Sequence, residues 1–278
     1  MNWKIVTDSA SDLYPSQWRE ECCGLGTVPF IIHIGEQDYE DNESLDTLAL
    51  LDHMESCKEA GSTGCPSPLA WKEEFREADR VIALTISSQL SGSFNSACLG
   101  RDMLLSEEPD KQVEILDSFA TGPAMVMCVE NIREAVKAGK DFDTVVREAS
   151  QLLQETRTIF ALSSFENLVK NGRMHKLAGL LAKSLGMWGV GIGKEGQIAI
   201  KGKTRGVKRA LSIIIDDIEE RGFHSREMFI SHCHNLTVAE ELRDRVKERW
   251  QDAKVTIMKT RGLDSFYAER GGLIVAYR

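Results

Sequence analysis

The chain has 278 residues, 42% apolar and 28% charged, with a formal net charge of −9. That length and apolar fraction suffice for two α/β domains with real cores, and no stretch approaches the ~18 consecutive apolar residues of a membrane span. The acidic balance argues against a nucleic-acid binder, which needs clustered Lys and Arg against phosphate. Residues 1–9 carry Asp8 and no apolar h-region, so they are not a signal peptide, and a cytoplasmic location is expected.

Along the chain, Lys4 to Thr7 is a β-branched run that predicts a first strand. Gly26 to Ile34 predicts a second, which Pro29 pushes toward a sheet edge. Leu45 to Ala60 has helical spacing and stops before Gly61. Arg80 to Ile86 and Val113 to Leu116 are continuous apolar runs of the kind found in buried parallel strands. Ser91 to Leu105, Thr121 to Ala138 and Phe142 to Glu155 predict helices between and after them. The alternation implies a mainly parallel sheet covered on both faces.

The pattern changes near Thr158 to Leu162, read as the first strand of a second unit. Lys176 to Leu185 and Val207 to Arg221 have helical spacing, and so does Thr237 to Trp250, capped by Asn235 or Thr237. Val190 to Ile192 and Gln197 to Ile200 flank the turn Lys194-Glu195-Gly196 as a hairpin does. Met228 to Ser231, Lys254 to Met258 and Leu273 to Ala276 predict further strands. The expected fold is therefore two α/β domains, residues 1–156 with a mainly parallel sheet and residues 157–278 with a mixed one.

Chemistry-bearing motifs are few. Gly191 to Gly196 spells GxGxxG, but a dinucleotide loop must open a helix and here a strand pattern follows, so a turn is the better reading. No phosphate-binding P-loop occurs. The seven cysteines form no CxxC pair and read as reduced thiols rather than a zinc ribbon. His232-Cys233-His234 would place both rings on one face if it lay on a strand, but no second ligand cluster accompanies it, so a structural role is expected over a metal site. Asp8 and Asp12 follow the first strand, where they either face a ligand or cap a turn.

Two hydroxyl-rich loops, Ser62 to Pro68 and Ser87 to Ser93, each lead into a helix. Hydroxyls and unpaired N–H groups at helix N-termini can hold a carboxylate; simple capping by Ser67 or Ser91 is the plainer alternative. A serine hydrolase using Ser91 or Ser93 is the rival functional reading, although the GxSxG elbow is absent.

Taken in order, eight segments resemble the DegV family. They are Lys4 to Asp12, Val28-Pro29-Phe30 with Tyr39 and Asp41, Thr63 with Pro66-Ser67-Pro68, and Ser87 to Ser93 with Ser96-Ala97. Leu116-Asp117-Ser118, Leu168 with Lys170, Gly172-Arg173, and Gly196 with Lys203 and Arg205 complete the set. The resemblance implies two α/β domains enclosing one long-chain fatty acid such as palmitate or stearate, in a carrier that is not itself an enzyme. It implies that Thr63, Ser91, Gly92 and Ser93 hold the carboxylate, and that Arg173 and Arg205 meet a phosphate or a partner. That partner would be the ATP-binding subunit of a fatty acid kinase, which phosphorylates the bound acid. The chain departs from the family pattern at Gly64, at Trp188-Gly189, and at Tyr267 to Gly271, where the family has H-x-G-P-G.

Overall fold

A computed structural model describes residues 2–174 and 186–278. The helix expected over Lys176 to Leu185 lies outside the described residues. In the first half, strands β1 (Trp3–Asp8), β2 (Gly24–Val28), β6 (Arg80–Thr85) and β7 (Gln112–Asp117) form a parallel sheet in the order β2-β1-β6-β7. Between β2 and β6 a three-stranded antiparallel sheet is inserted from β3 (Ile31–Ile34), β4 (Gln37–Glu40) and β5 (Ser62–Gly64). The single strand expected over Gly26 to Ile34 is thus two strands in two sheets. Pro29 stands at the break, where its missing N–H cannot continue a ladder.

Helices α1 (Thr47–Ser56), α2 (Pro68–Arg76), α3 (Ser93–Glu107), α4 (Pro123–Lys137) and α5 (Phe142–Glu155) accompany these sheets. Local chemistry sets their ends. Asp46 caps α1 by accepting from Leu48 and Ala49 N–H, which starts the helix later than its apolar spacing suggests. Ser67 caps α2 ahead of Pro68 at the first helical position. Asp141 caps α5, which buries Phe142, Val145, Ala149 and Leu152 along one stripe. Ser91 is not yet helical: its N–H donates to Ser87 C=O and its hydroxyl accepts from Ser93 N–H, so α3 begins two residues later than expected.

The second half holds a six-stranded mixed sheet, in the order β10-β9-β8-β13-β11-β12. Its strands are β8 (Arg157–Leu162), β9 (Met187–Lys194), β10 (Gln197–Arg205), β11 (Glu227–His232), β12 (Lys254–Lys259) and β13 (Leu273–Tyr277). Only β11 and β12 run parallel. One face packs on α7 (Val207–Arg221) and α8 (Leu236–Arg249) through Ile159, Val190, Ile192, Ile214 and Leu242. The other face looks toward the first half. Two short helices that the sequence pattern did not announce, α6 (Glu166–Lys170) and α9 (Gly262–Ala268), fill the space between.

The halves are joined by a buried polar staple. Arg261 is 1% exposed. Its N–H donates to Asp12 Oδ1 at 2.8 Å, its guanidinium donates to the carbonyls of Leu13 and Asp41, and it lies over the Tyr14 ring. Asp41 in turn accepts the Gly262 and Leu263 N–H groups, each at 2.8 Å, at the start of α9. Removing one partner of such a set strands the others without water, which typically costs about 3–5 kcal/mol. We therefore expect Asp41→Ala to lower unfolding stability by about 3 kcal/mol in a urea titration, with Asp41→Asn losing less. A loss no larger than that of a surface substitution would contradict the staple's role.

Candidate functional site

Between the free face of the mixed sheet and the first half lies an apolar cavity, partly open to solvent, in which the centre of a water-sized sphere can reach about 90 Å³. Phe30, Ile86, Leu90 and Phe119 line it from the first half. Phe160, Leu162, Ile198 and Ile274 line it from the sheet, Leu168 from α6, and Leu263 and Ala268 from α9.

The polar groups on this wall are sparse. Thr63 Oγ1 and Tyr267 OH are hydrogen-bonded at 2.8 Å. Beside them is Arg173, whose Nε donates to Leu90 C=O at 3.1 Å and whose Nη1 donates to Asn171 C=O. Burial raises the Tyr267 phenol above its ordinary range, while its bond to Thr63 and the nearby Arg173 charge pull the other way. Tyr267 therefore stays a neutral O–H donor at physiological pH. Ser91 also lines the cavity.

Of the six residues singled out from the sequence, Thr63, Ser91 and Arg173 are on the cavity wall. Gly92, Ser93 and Arg205 are not among the described residues that line it. Ser93 is fully buried and its hydroxyl donates to Asp8 Oδ2 at 2.6 Å. Arg205 ends β10 on an exposed surface. Neither Ser91 nor Ser93 is hydrogen-bonded to a histidine among the described residues; Ser93 bonds the Asp8 carboxyl instead, buried off the cavity wall. Tyr267 stands in the sequence only as a departure from the family pattern, and its pairing with Thr63, 204 positions away, has no local signal.

The loops behind the wall are locked together. Asp8 accepts from Ile86 N–H as well as from Ser93, and Asp117 accepts from Ser88 and Phe119 N–H. Ser87 donates to Gly196 C=O at 2.7 Å, which seats the β9–β10 turn on the second hydroxyl loop. At Gly196, with φ +76°, an added Cβ would fall 2.6 Å from Ser87 Oγ, so only glycine fits. The strand after the Gly191 to Gly196 run confirms the turn reading over the dinucleotide one.

His232 and His234 do not converge on a metal. The strand stops at His232, whose Nδ1 accepts Asn235 N–H, while His234 has φ +50° and bonds Thr47. Among the described residues no group of three or more His, Cys, Asp or Glu side chains could hold a metal ion.

Four carboxyls, those of Asp8, Asp12, Asp41 and Asp264, are buried around Arg261. Burial pushes Asp8 and Asp12 up to about 7 and raises Asp41; it raises Asp264 well above the carboxylate range, with the Asp12 charge adding to the effect. Asp264 is on the cavity wall with Oδ1 held by Thr121 at 2.7 Å. Its Oδ2 and that of Asp12 are buried without a partner and flank Gly122. Two such carboxyls cannot both ionise, and one holds a proton.

The arrangement defines a class: an α/β protein with a parallel sheet and a mixed sheet enclosing a mainly apolar cavity, with hydroxyls and an arginine grouped on its wall. A family model described as an uncharacterised protein of the DegV family matches residues 2–276, and the chain belongs to that family. A DegV domain-containing protein of Streptococcus pyogenes serotype M1 is 36% identical over 278 residues, covering 100% of this chain and 99% of the relative. The crystal structure of the Streptococcus pneumoniae fatty acid kinase B3 protein loaded with linoleic acid superposes with a TM-score of 0.96 at 31% identity. It covers 100% of this chain and 99% of that one. A DegV family protein from Eubacterium eligens loaded with heptadecanoic acid gives 0.94 at 31% identity, with 99% of each chain covered.

The raised carboxyls have a pH consequence. A group whose folded pKa lies above its ordinary value of 3.8 contributes full stability below that value and loses it as pH climbs through about 7. Asp12→Asn removes one such group. Relative to the parent it is expected to gain stability between pH ~5 and ~8, by about 1 kcal/mol or more, one pKa unit being worth about 1.4 kcal/mol. Parallel stability profiles in chemical denaturation across that range would contradict this.

Proposed function

We propose that the protein binds one long-chain fatty acid in this cavity and holds its carboxylate with Thr63, Tyr267, Ser91 and Arg173. The observation that carries the reading is the Thr63–Tyr267 hydroxyl pair beside Arg173, a compact donor cluster on a mainly apolar wall. An acyl chain gains about 0.8 kcal/mol per buried CH₂, so a long chain contributes roughly 10 kcal/mol before the costs of binding. Its carboxylate must then be hydrogen-bonded or paired, or much of that gain is cancelled. Three hydroxyls and a guanidinium meet that need. Related structures carrying linoleic and heptadecanoic acids support the ligand class.

In this reading the two units meet at residues 156/157, with the carboxylate loops in the first and the acyl cover in the second. Gly92 and Ser93 serve by ordering the loop that presents Ser91, through the Ser93–Asp8 bond. The protein is a carrier rather than an enzyme, and it acts in the cytoplasm. It presents the carboxylate to an ATP-binding kinase subunit for acyl-phosphate formation, with Arg173 at the mouth and Arg205 toward the partner. The likeness to a fatty acid kinase B protein supports that partnership.

Denaturing mass spectrometry of the purified protein, before and after incubation with a fatty-acid panel, tests the ligand. A released long-chain acid is expected; none bound and none taken up sinks the reading. The double variant Thr63→Ala, Tyr267→Phe should fold normally and bind at least tenfold more weakly, since a hydrogen bond to a charged group is worth about 1.5–3 kcal/mol. Arg173→Ala should retain part of its lipid binding yet lose acyl-phosphate formation in a reconstituted assay with the kinase subunit. Equal turnover by variant and parent removes Arg173 from that step.

A further inference from the structure

The Gly191 to Gly196 run has a use beyond its turn. Strand β9 is two-sided. Trp188, Val190 and Ile192 pack into the core beneath α7, while the alternate positions Gly191 and Gly193 face the cavity side. The neighbouring strand β8 has the same division, with Thr158 opposite Gly193 and Phe160 opposite Gly191 in the register.

The two glycines leave different spaces. A Cβ on Gly191 would fall 2.2 Å from Phe160 Cζ, so the phenyl ring already occupies the room a side chain would take. Gly193 has no such occupant. It lines the cavity, and the three atoms nearest to an added Cβ all belong to Thr158, at 3.4 to 4.0 Å, an ordinary packing distance. Its φ is not in the left-handed region, so a side chain there is free of backbone strain. A side chain at 193 would fit the strand and take its volume from the cavity.

We infer that the glycine face of β9, and Gly193 above all, sets the length of acyl chain the cavity admits. This rests on the fatty-acid reading above and adds a selectivity position to it. Ile198, paired with Gly193 across the hairpin and also on the wall, limits the same space from the other side.

The test compares the lipid-free parent with Gly193→Ala, Gly193→Val and Ile198→Ala. Dissociation constants are measured for decanoate, laurate, myristate, palmitate and stearate. Gly193→Val should weaken palmitate and stearate far more than laurate, by roughly tenfold for each pair of methylenes excluded. Gly193→Ala should shift the profile the same way by less, and Ile198→Ala should shift it toward longer acids. Thermal unfolding checks the fold; if Gly193→Val does not fold, Gly193→Ala and Ile198→Ala carry the test. An unchanged chain-length profile, or an equal loss for all five acids, overturns the inference while leaving the fatty-acid reading intact. A parent that takes up none of the five overturns that reading, and this inference with it.

Discussion

The structure depends on one buried arginine. Arg261 donates its guanidinium to two carbonyls of the first half and its backbone N–H to the Asp12 carboxyl, and lies over an aromatic ring, with almost no exposure to water. Burying a guanidinium is unfavourable unless it is paired; here Nη1 and Nη2 bond carbonyls more than 200 positions away, and Nε, without a hydrogen bond, lies 3.9 Å from the Asp41 carboxyl. Asp41 adds a second link by accepting the first N–H groups of α9. The consequence is positional. The short helix that follows cannot stand on its own nucleation, yet it carries Leu263, Asp264, Tyr267 and Ala268 onto the cavity wall. Without the staple, Tyr267 would have no reason to meet Thr63.

That constraint also explains how an acidic protein accommodates an anionic ligand. Asp264 lies on the cavity wall, where a carboxylate would repel a fatty acid. Burial and the neighbouring Asp12 push its carboxyl well above its ordinary range, which disfavours negative charge on the wall there. The nearby positive charge is Arg173, which is grouped with the two hydroxyls. The one cationic side chain among the described residues lining the cavity is thus grouped with hydroxyls, which orients a ligand with one charged end. Strand β9 is two-sided as well: Gly193 leaves room on the cavity side while the opposite side of the strand packs into the core.

Much of the fold was legible because it is local. The apolar runs at Arg80 to Ile86 and Val113 to Leu116 are parallel strands, and α5 and α7 begin and end where their periodicity says. The misses have physical causes. Pro29 divides one apolar run between two sheets, and Ser91 spends its hydroxyl on a turn instead of a cap. Helix α9 is seven residues long and starts with glycine, so no pattern marks it. At the site, resemblance pointed to Thr63, Ser91 and Arg173, which reach the cavity. It also pointed to Ser93, whose hydroxyl is bonded to Asp8 because both are sealed beneath the loop. Tyr267, Arg261 and Asp264 act through partners distant in sequence, which one chain read alone does not reveal.

The most direct measurement is a crystal structure of the protein with palmitate bound. The account predicts the acyl chain between the mixed sheet and α9, with the carboxylate oxygens within hydrogen-bonding distance of Thr63 Oγ1 and Tyr267 OH and facing Arg173. A carboxylate lodged at any other place, or a palmitate bound outside this cavity, would contradict it.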